Sequence, residues 1–413
     1  MISVAEASER ILARIVPLSH EPVATGNAVG RILAESVAAP IDSPPWDNSS
    51  MDGYAIRAAD VSKVPATLRV VEEIAAGRFP SRAIASGEAV RVMTGAPVPN
   101  DADTVIRRED TDDGLDVVTI TGDRDLGKNI RRKGEDFRAG DSLFAAGEEI
   151  RVAHAGALAS AGIKSVSVHR RPRVALISSG DELVELDDFT PQVAATKIVS
   201  SNSITLSALV RDAGGEAVDL GIARDDRASL REKIERARDA DLILTSAGIS
   251  VGDHDHVRDV VSDVGGSIDF WKVKMRPGAP LAFGEIHGIP WIGMSGNPVS
   301  AMVTFEVFVR PVIRKMLGHT RLFAPTIPVR TGSPLKLAAP LMHFLRVVIS
   351  SNEKNEAVAE LAGSQSSSVI TAMARANALL ILPGDRLEIA KGESHRALPI
   401  GTNLFTTDRL VLA

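Results

Sequence analysis

The chain of 413 residues contains no cysteine. Disulfides, thiolate metal sites, iron–sulfur clusters and cysteine nucleophiles are therefore excluded, and any bound metal must sit on oxygen or imidazole. An excess of positive charge is also missing: the formal net charge is −6, which leaves no footprint for non-specific nucleic-acid binding. A membrane-spanning run is absent too. The longest apolar candidate, residues 299–317, carries Glu306, Arg310, Arg314 and Lys315, too many charges to cross a bilayer cheaply. Residues 1–17 place Glu6, Glu9 and Arg10 where a secretory segment would need an apolar stretch. Neither a short-period repeat nor a low-complexity tract is visible. A cytoplasmic protein without nucleic-acid or membrane partners is expected, and 44% hydrophobic with 24% charged residues is an ordinary globular composition.

The length exceeds what one core usually serves, so roughly two to four domains are expected. Ser3 followed by Glu6 is a capping-box pattern, which predicts a helix over 3–16. The proline-rich stretch 39–46 marks a crossing between domains. Beyond it, β-like runs at 68–71, 89–93, 104–107 and 117–120 are separated by Gly, Asp and Pro. Residues 150–168 read as a helix and then a strand. From Arg173 onward, strand-length apolar runs at 174–178, 217–221, 241–245 and 290–293 alternate with helical candidates at 203–213, 227–237, 257–264 and 299–317. That alternation predicts a parallel sheet covered on both faces, with ligands held in loops at the carboxyl ends of the strands. After Gly318, runs at 327–330, 344–350, 357–361, 378–382 and 386–389 predict a compact β domain. The expected fold is thus α/β multidomain. Residues 1–39 plus 141–170 form a discontinuous helical and linker domain, 40–140 a β-rich insertion, 171–320 the α/β sheet domain, and 321–413 a β-barrel-like domain.

The chemistry concentrates in the predicted carboxyl-edge loops. Gly293-Met294-Ser295-Gly296-Asn297-Pro298 ends an apolar run and precedes a helix; its glycines let backbone approach a ligand, Ser295, Asn297 and Ser300 offer polar groups, and helix N–H groups face the same point. Thr245-Ser246-Ala247-Gly248-Ile249-Ser250 leads to Asp255 in a second such loop. Ser179-Gly180-Asp181-Glu182 is a third; its carboxylates would also suit a plain helix N-terminus. Ser201-Asn202-Ser203 is the fourth. Four polar loops on one edge exceed what folding needs, and they point to a pocket for a phosphorylated ligand. Lys272, Lys274 and Arg276 supply cations for it. The run Asp253-His254-Asp255-His256 does not favour a transition metal, because histidines two apart converge only on extended backbone. Carboxylates such as Asp225, Asp226 and Asp255, completed by phosphate oxygens, suit Mg2+ better. In the insertion, Asp52, Thr94 and Asp136 sit in turns that form a rim facing the pocket of another domain or another subunit, while Arg131-Arg132-Lys133 reads as a solvated face.

Taken in order, the segments 47–57, 93–99, 129–136, 179–183, 246–255, 276–280 and 296–300 resemble the molybdopterin molybdenumtransferases, the MoeA family that includes the gephyrin E domain. The resemblance covers nearly the whole chain. It implies a molybdopterin-binding-like sheet domain and an L-shaped homodimer whose cleft joins that domain of one subunit to the insertion of the other. It also implies an activity: with adenylylated molybdopterin and molybdate as substrates and Mg2+ or Zn2+ as cofactor, the pyrophosphate link is cleaved to release AMP and molybdenum cofactor. Matching positions assign catalysis to Asp52, Thr94, Asp136, Glu182 and Asp255. Metal binding falls to Glu182, Asp225, Asp226 and Asp255. Substrate contacts fall to Ser201, Asn202, Ser246, Gly248, Ser250, Lys272, Arg276, Ser295, Asn297, Pro298, Ser300, Arg346 and Ser367. Protein partners implied are the molybdopterin adenylyltransferase and downstream molybdoenzyme chaperones.

Several positions depart from the family pattern. Ala247 replaces a glycine, Ser295 a proline, and Ala279 the second lysine of a Lys-Pro-Gly-Lys-Pro run whose first is Arg276. A lost cation at an anion site could cost a few kcal/mol if the group is buried and paired there. Alternative readings are a divergent paralogue that binds molybdopterin as a non-catalytic scaffold, and an enzyme resembling the adenylyltransferase.

Overall fold

The structure, a computed structural model, describes residues 1–248, 256–352, 354 and 356–401. They divide into two compact units. One gathers residues 1–21, 30–34 and those from 168 onward; the other gathers 22–29 and 35–167. The first helix, α1 (Val4–Ala13), begins where the capping signal puts it: Ser3 Oγ accepts from the Glu6 N–H at 3.1 Å. The Glu6 carboxylate pairs with Arg10 at 2.7 Å one turn on, instead of returning to Ser3. Ala7 and Ile11, four apart, are the buried face.

The unit holding residues 35–167 is built on β1 (Gly53–Ile56), β2 (Ala66–Ile74), β3 (Glu88–Val92), β4 (Thr104–Arg107) and β5 (Val117–Ile120), ordered β4-β1-β3-β2-β5. Only β2 and β3 run parallel. Alternation along β1 sends Tyr54 and Ile56 into one apolar cluster and Ala55 into another, so both faces of this central strand are buried. A Cβ on Gly53 would stand 2.0 Å from the Ile106 carbonyl oxygen; glycine is what lets β1 and β4 close. Helix α2 (Val152–Ser160) completes the described helices of this unit.

In the other unit, β6 (Arg173–Ser179), α3 (Ser201–Asp212), β7 (Glu216–Ala223), α4 (Arg227–Arg236), β8 (Leu242–Ser246), α5 (His256–Asp263), β9 (Ser267–Lys272), β10 (Pro280–Ile286), β11 (Ile289–Met294) and α6 (Pro298–Thr304) follow one another. The strands order as β7-β6-β8-β11-β10-β9. The four anticipated strands are mutually parallel, while β10 and β9 extend them antiparallel. Those two escape a sequence reading because β9 interleaves Asp269 and Lys272 with its apolar residues and β10 opens on a proline. Period-two alternation covers both faces. Val174, Leu176, Leu242, Leu244 and Ile292 pack with Leu206 and Val210 of α3 and Val299 of α6. Ala175, Ile177, Ile243 and Trp291 pack with Leu230 and Ile234 of α4 and Val260 of α5. Burial of each large side chain stabilises by roughly 1.5–3 kcal/mol, which anchors the strand ends that carry the site. Helix α6 runs on through a π turn, Phe305–Val309, into α7 (Arg310–Met316), so the helical run expected at 299–317 is present with one irregular turn.

The last strands are β12 (Ile327–Thr331), β13 (Met342–Ser351), β14 (Ala357–Leu361), β15 (Ala378–Leu382) and β16 (Ser394–Pro399). They pair in the order β13-β14-β12-β16-β15, and β15 returns to β13, closing a five-stranded barrel around Val329, Leu345, Val347, Leu380 and Ala397. The strand expected at 386–389 shrinks to Glu388–Ile389. Strand β16 and the short helix Ile370–Arg375 were not anticipated.

Candidate functional site

Register brings the loops together. Ser178 of β6 lies opposite Ser246 of β8, and Ser246 opposite Met294 of β11, so three parallel strands end on one row. Their carboxyl ends and the start of α3 enclose a cleft of about 600 Å³ lined by Ser179, Glu182, Ser201, Asn202, Ser246, Gly248, Ser295, Asn297 and Pro298, among others. Beneath it, Ser200 Oγ and Ser246 Oγ both donate to the buried Ser178 Oγ, at 3.2 and 3.3 Å. No side chain caps the N-terminus of α3, which leaves its first N–H groups available to an anion.

Asn202 ties two loops: its Nδ2 donates to the Gly296 carbonyl at 2.9 Å. Its Oδ1 is buried with no hydrogen-bond partner among the described residues. An orphaned acceptor inside a polar cleft costs free energy until a donor arrives. The Asn297 N–H donates to Ser295 Oγ at 3.3 Å, and the Val299 N–H to the Ser367 carbonyl at 3.2 Å. Ser367 therefore reaches the start of α6, and its neighbour Ser368 lines the cleft.

The carboxylates separate. Glu182 is exposed at the cleft mouth. Asp225 sits behind the wall, accepting from Ser179 Oγ and the Asp181 N–H, each at 3.2 Å. Asp226 caps α4, accepting from the Ser229 N–H at 2.8 Å. Among the described residues no three histidine, aspartate or glutamate groups converge on a point that suits a metal ion. Ser250 and Asp255 lie outside the described residues.

The cations divide as well. Lys272 is half-buried at the end of β9 and Arg276, four positions on, is exposed; neither is among the described residues that line the cleft. Arg346 on β13 is 1% exposed; its Nη2 donates to the Ser364 and Ser366 carbonyls at 3.3 and 3.1 Å, and its Nε has no partner among the described residues. Burial alone pushes its pKa down to about 10. Arg346 thus braces the 364–368 loop from within and does not line the cleft. Ser300 is buried inside α6.

In the unit holding residues 35–167, Asp52 accepts from the Thr94 N–H at 2.7 Å and from Thr94 Oγ1 at 2.8 Å. These bonds, the backbone one foremost, lower the Asp52 pKa, so it is ionised at neutral pH. Asp52, Thr94 and Asp136 are all exposed. Arg132 and Lys133 are surface groups paired with Asp47 and Asp42 at 2.7 and 3.2 Å, as a solvated charge run should be.

Several lining residues were not singled out beforehand: Ile198, Val199, Ser200, Pro280 and Ser368. The hydroxyl signal Ser200-Ser201-Asn202-Ser203 was available for one of them; the others reach the cleft only through tertiary packing.

Residues 2–162 match the family model described as MoeA N-terminal region (domain I and II). Residues 175–315 match the probable molybdopterin binding domain, and residues 328–400 the MoeA C-terminal region (domain IV). The chain is 38% identical over 379 residues to a molybdopterin molybdenumtransferase of Nostoc sp., covering 89% of this chain and 85% of that one. It is 34% identical to a molybdopterin molybdenumtransferase of Haemophilus influenzae, covering 95% and 97%. Its structure is similar to a crystal structure of the molybdopterin biosynthesis moeA protein from Pyrococcus horikoshii, with a TM-score of 0.82, 28% identity and coverage of 97% and 100%.

Proposed function

The chain belongs to the molybdopterin molybdenumtransferase (MoeA) family, and from that membership we propose how this molecule inserts molybdenum. It is a transferase of molybdenum cofactor biosynthesis. The substrate assigned to the cleft at the ends of β6, β8 and β11 is adenylylated molybdopterin, with molybdate as the second substrate. One observation carries the assignment: a polar cleft at the carboxyl edge contains a buried acceptor, Asn202 Oδ1, that is unpaired among the described residues. A ligand N–H satisfies it. Ser201, Ser246 and Ser295 and the open N-terminus of α3 serve phosphate oxygens.

The chemical problem is to hold a phosphoanhydride and an oxyanion side by side. Lys272, Arg276 and the field of Arg346 offset their repulsion and the charge that grows on the departing AMP, while the cleft fixes the reacting groups in place. The dithiolene belongs to the ligand, so a chain without cysteine suffices. Asp52, Thr94, Asp136, Glu182 and Asp255 are retained as the catalytic set. The reading includes Mg2+, with Zn2+ as the alternative, a cytoplasmic homodimer and the four-domain division set out from the sequence. The described residues do not themselves gather a metal site, and no step here runs through the ion.

The test is AMP release from adenylylated molybdopterin by the purified protein with Mg2+, with and without molybdate. Molybdate-dependent release together with active cofactor is expected. Binding without release would replace this reading with a scaffold, and absence of binding would remove the ligand assignment.

A further inference from the structure

In the cleft wall, between Ser246 and Gly248, Ala247 adopts φ +76°. That region crowds Cβ against the backbone and is ordinarily left to glycine; Gly248 next to it adopts φ +70° without penalty. Strain of this kind persists only where the surroundings enforce it. Here the methyl group has a defined neighbour. A Cβ built on Gly296 would stand 3.0 Å from Ala247 Cβ and 3.5 Å from its Cα, so the loop after β8 and the loop after β11 meet at this one methyl. Gly296 is not among the residues with positive φ. Space, not backbone conformation, is what calls for glycine at 296.

Both loops are tied to the site. The Ala247 N–H donates to the Met294 carbonyl at 3.0 Å, and the Gly296 carbonyl accepts from Asn202, whose other amide atom is the orphaned acceptor. Movement at the 247/296 seam therefore moves Asn202 and the Ser295–Pro298 turn together.

We propose that Ala247 is a positioning residue that sets substrate affinity: its methyl spaces the two loops and aims Asn202, and the strained backbone is retained for that purpose. This rests on the assignment of adenylylated molybdopterin to the cleft. The methyl has one alternative home, position 296, and moving it there should preserve the spacing while removing the strain.

The experiment compares wild type, Ala247→Gly, Gly296→Ala and the double variant in AMP-release kinetics and in denaturant unfolding. Losing one methyl's packing predicts a KM raised about fourfold in Ala247→Gly with kcat held. Gly296→Ala alone forces two methyls into one space. It should raise KM further and increase the unfolding constant by about tenfold. The double variant should return KM to near wild type. An unchanged KM in Ala247→Gly, or a double variant no better than Gly296→Ala, overturns the proposal. If the wild type releases no AMP, the functional assignment has failed and unfolding still judges the seam: Gly296→Ala must destabilise wild type and spare the Ala247→Gly background. Equal destabilisation in both overturns it.

Discussion

Replacing Arg346 by methionine separates what that residue costs the fold from what it gives the ligand. The guanidinium is 1% exposed, and burial without a carboxylate partner among the described residues lowers its pKa from the ordinary guanidinium value to about 10. At 1.36 kcal/mol per unit, the displacement corresponds to roughly 3 kcal/mol of desolvation carried by the folded state. The sign follows from linkage. A cation whose folded pKa is depressed carries this penalty in full below pH 10 and loses it as pH rises from about 10 towards the ordinary guanidinium value. At neutral pH, methionine removes the penalty. It also removes two charge-assisted hydrogen bonds to the Ser364 and Ser366 carbonyls, worth about 1.5 kcal/mol each. The ligand-free Arg346→Met protein should therefore lie within about 1 kcal/mol of wild type, or slightly above it.

Molybdate binding should respond in the opposite way. An anion within roughly 7 Å at an effective dielectric near 20 gains about 2 kcal/mol from the charge, close to thirtyfold in affinity. Calorimetric titration of molybdate should show that loss. In thermal unfolding, molybdate should raise the midpoint of wild type and leave the variant nearly unmoved. Equal molybdate affinity in the two proteins would refute the electrostatic role. A ligand-free variant destabilised by more than about 3 kcal/mol would show that Arg346 is retained as a loop brace.

Asp125 is buried beside Arg107, with Oδ2 and Oδ1 accepting from Nε and Nη2 at 2.8 and 2.9 Å; Arg107 foremost lowers its pKa to about 2. A depressed carboxylate stabilises above its unfolded pKa, so about 1 kcal/mol, discounted for the partly exposed arginine, should be lost between pH 4 and 2 in wild type and not in Asp125→Asn. Acid unfolding curves of the two proteins check this. Asn202→Ala removes the bond to the Gly296 carbonyl together with the orphaned Oδ1; substrate affinity should fall about tenfold while stability changes by about 1 kcal/mol, measured by titration and denaturant unfolding. If each cleft draws Asp52 from one subunit and Glu182 from the other, mixing Asp52→Asn with Glu182→Gln chains should regain about a quarter of wild-type activity, since half the dimers are mixed and each carries one intact cleft. No regain would count against a shared cleft.

The parts of the site written as local pattern were legible, and the parts written as contact were not. Strands β4, β5, β14 and β15 begin and end at the residues that their short apolar-rich runs and flanking turns indicate, even though only β5 alternates cleanly between buried and exposed positions while β4 and β15 are buried along nearly their whole length. The cleft was legible for a related reason: Ser179, Asn202, Ser246 and Asn297 follow apolar runs or begin helices, in loops where a buried fold has no use for so many polar groups. The second layer gives no such signal. Ser246 meets Ser178 across 68 positions, and Arg346 reaches carbonyls 18 and 20 positions away; in each case a residue type common on surfaces is buried by partners that only the finished fold supplies. Ala247 lies between the two cases. Its identity is visible, but its meaning depends on a φ of +76° and on the methyl's place over Gly296. A substitution that looks like the loss of a glycine is, in the folded chain, a methyl added at the seam between two loops. The swap between 247 and 296 is thus the informative experiment, because only the contact account expects the second substitution to repair the first.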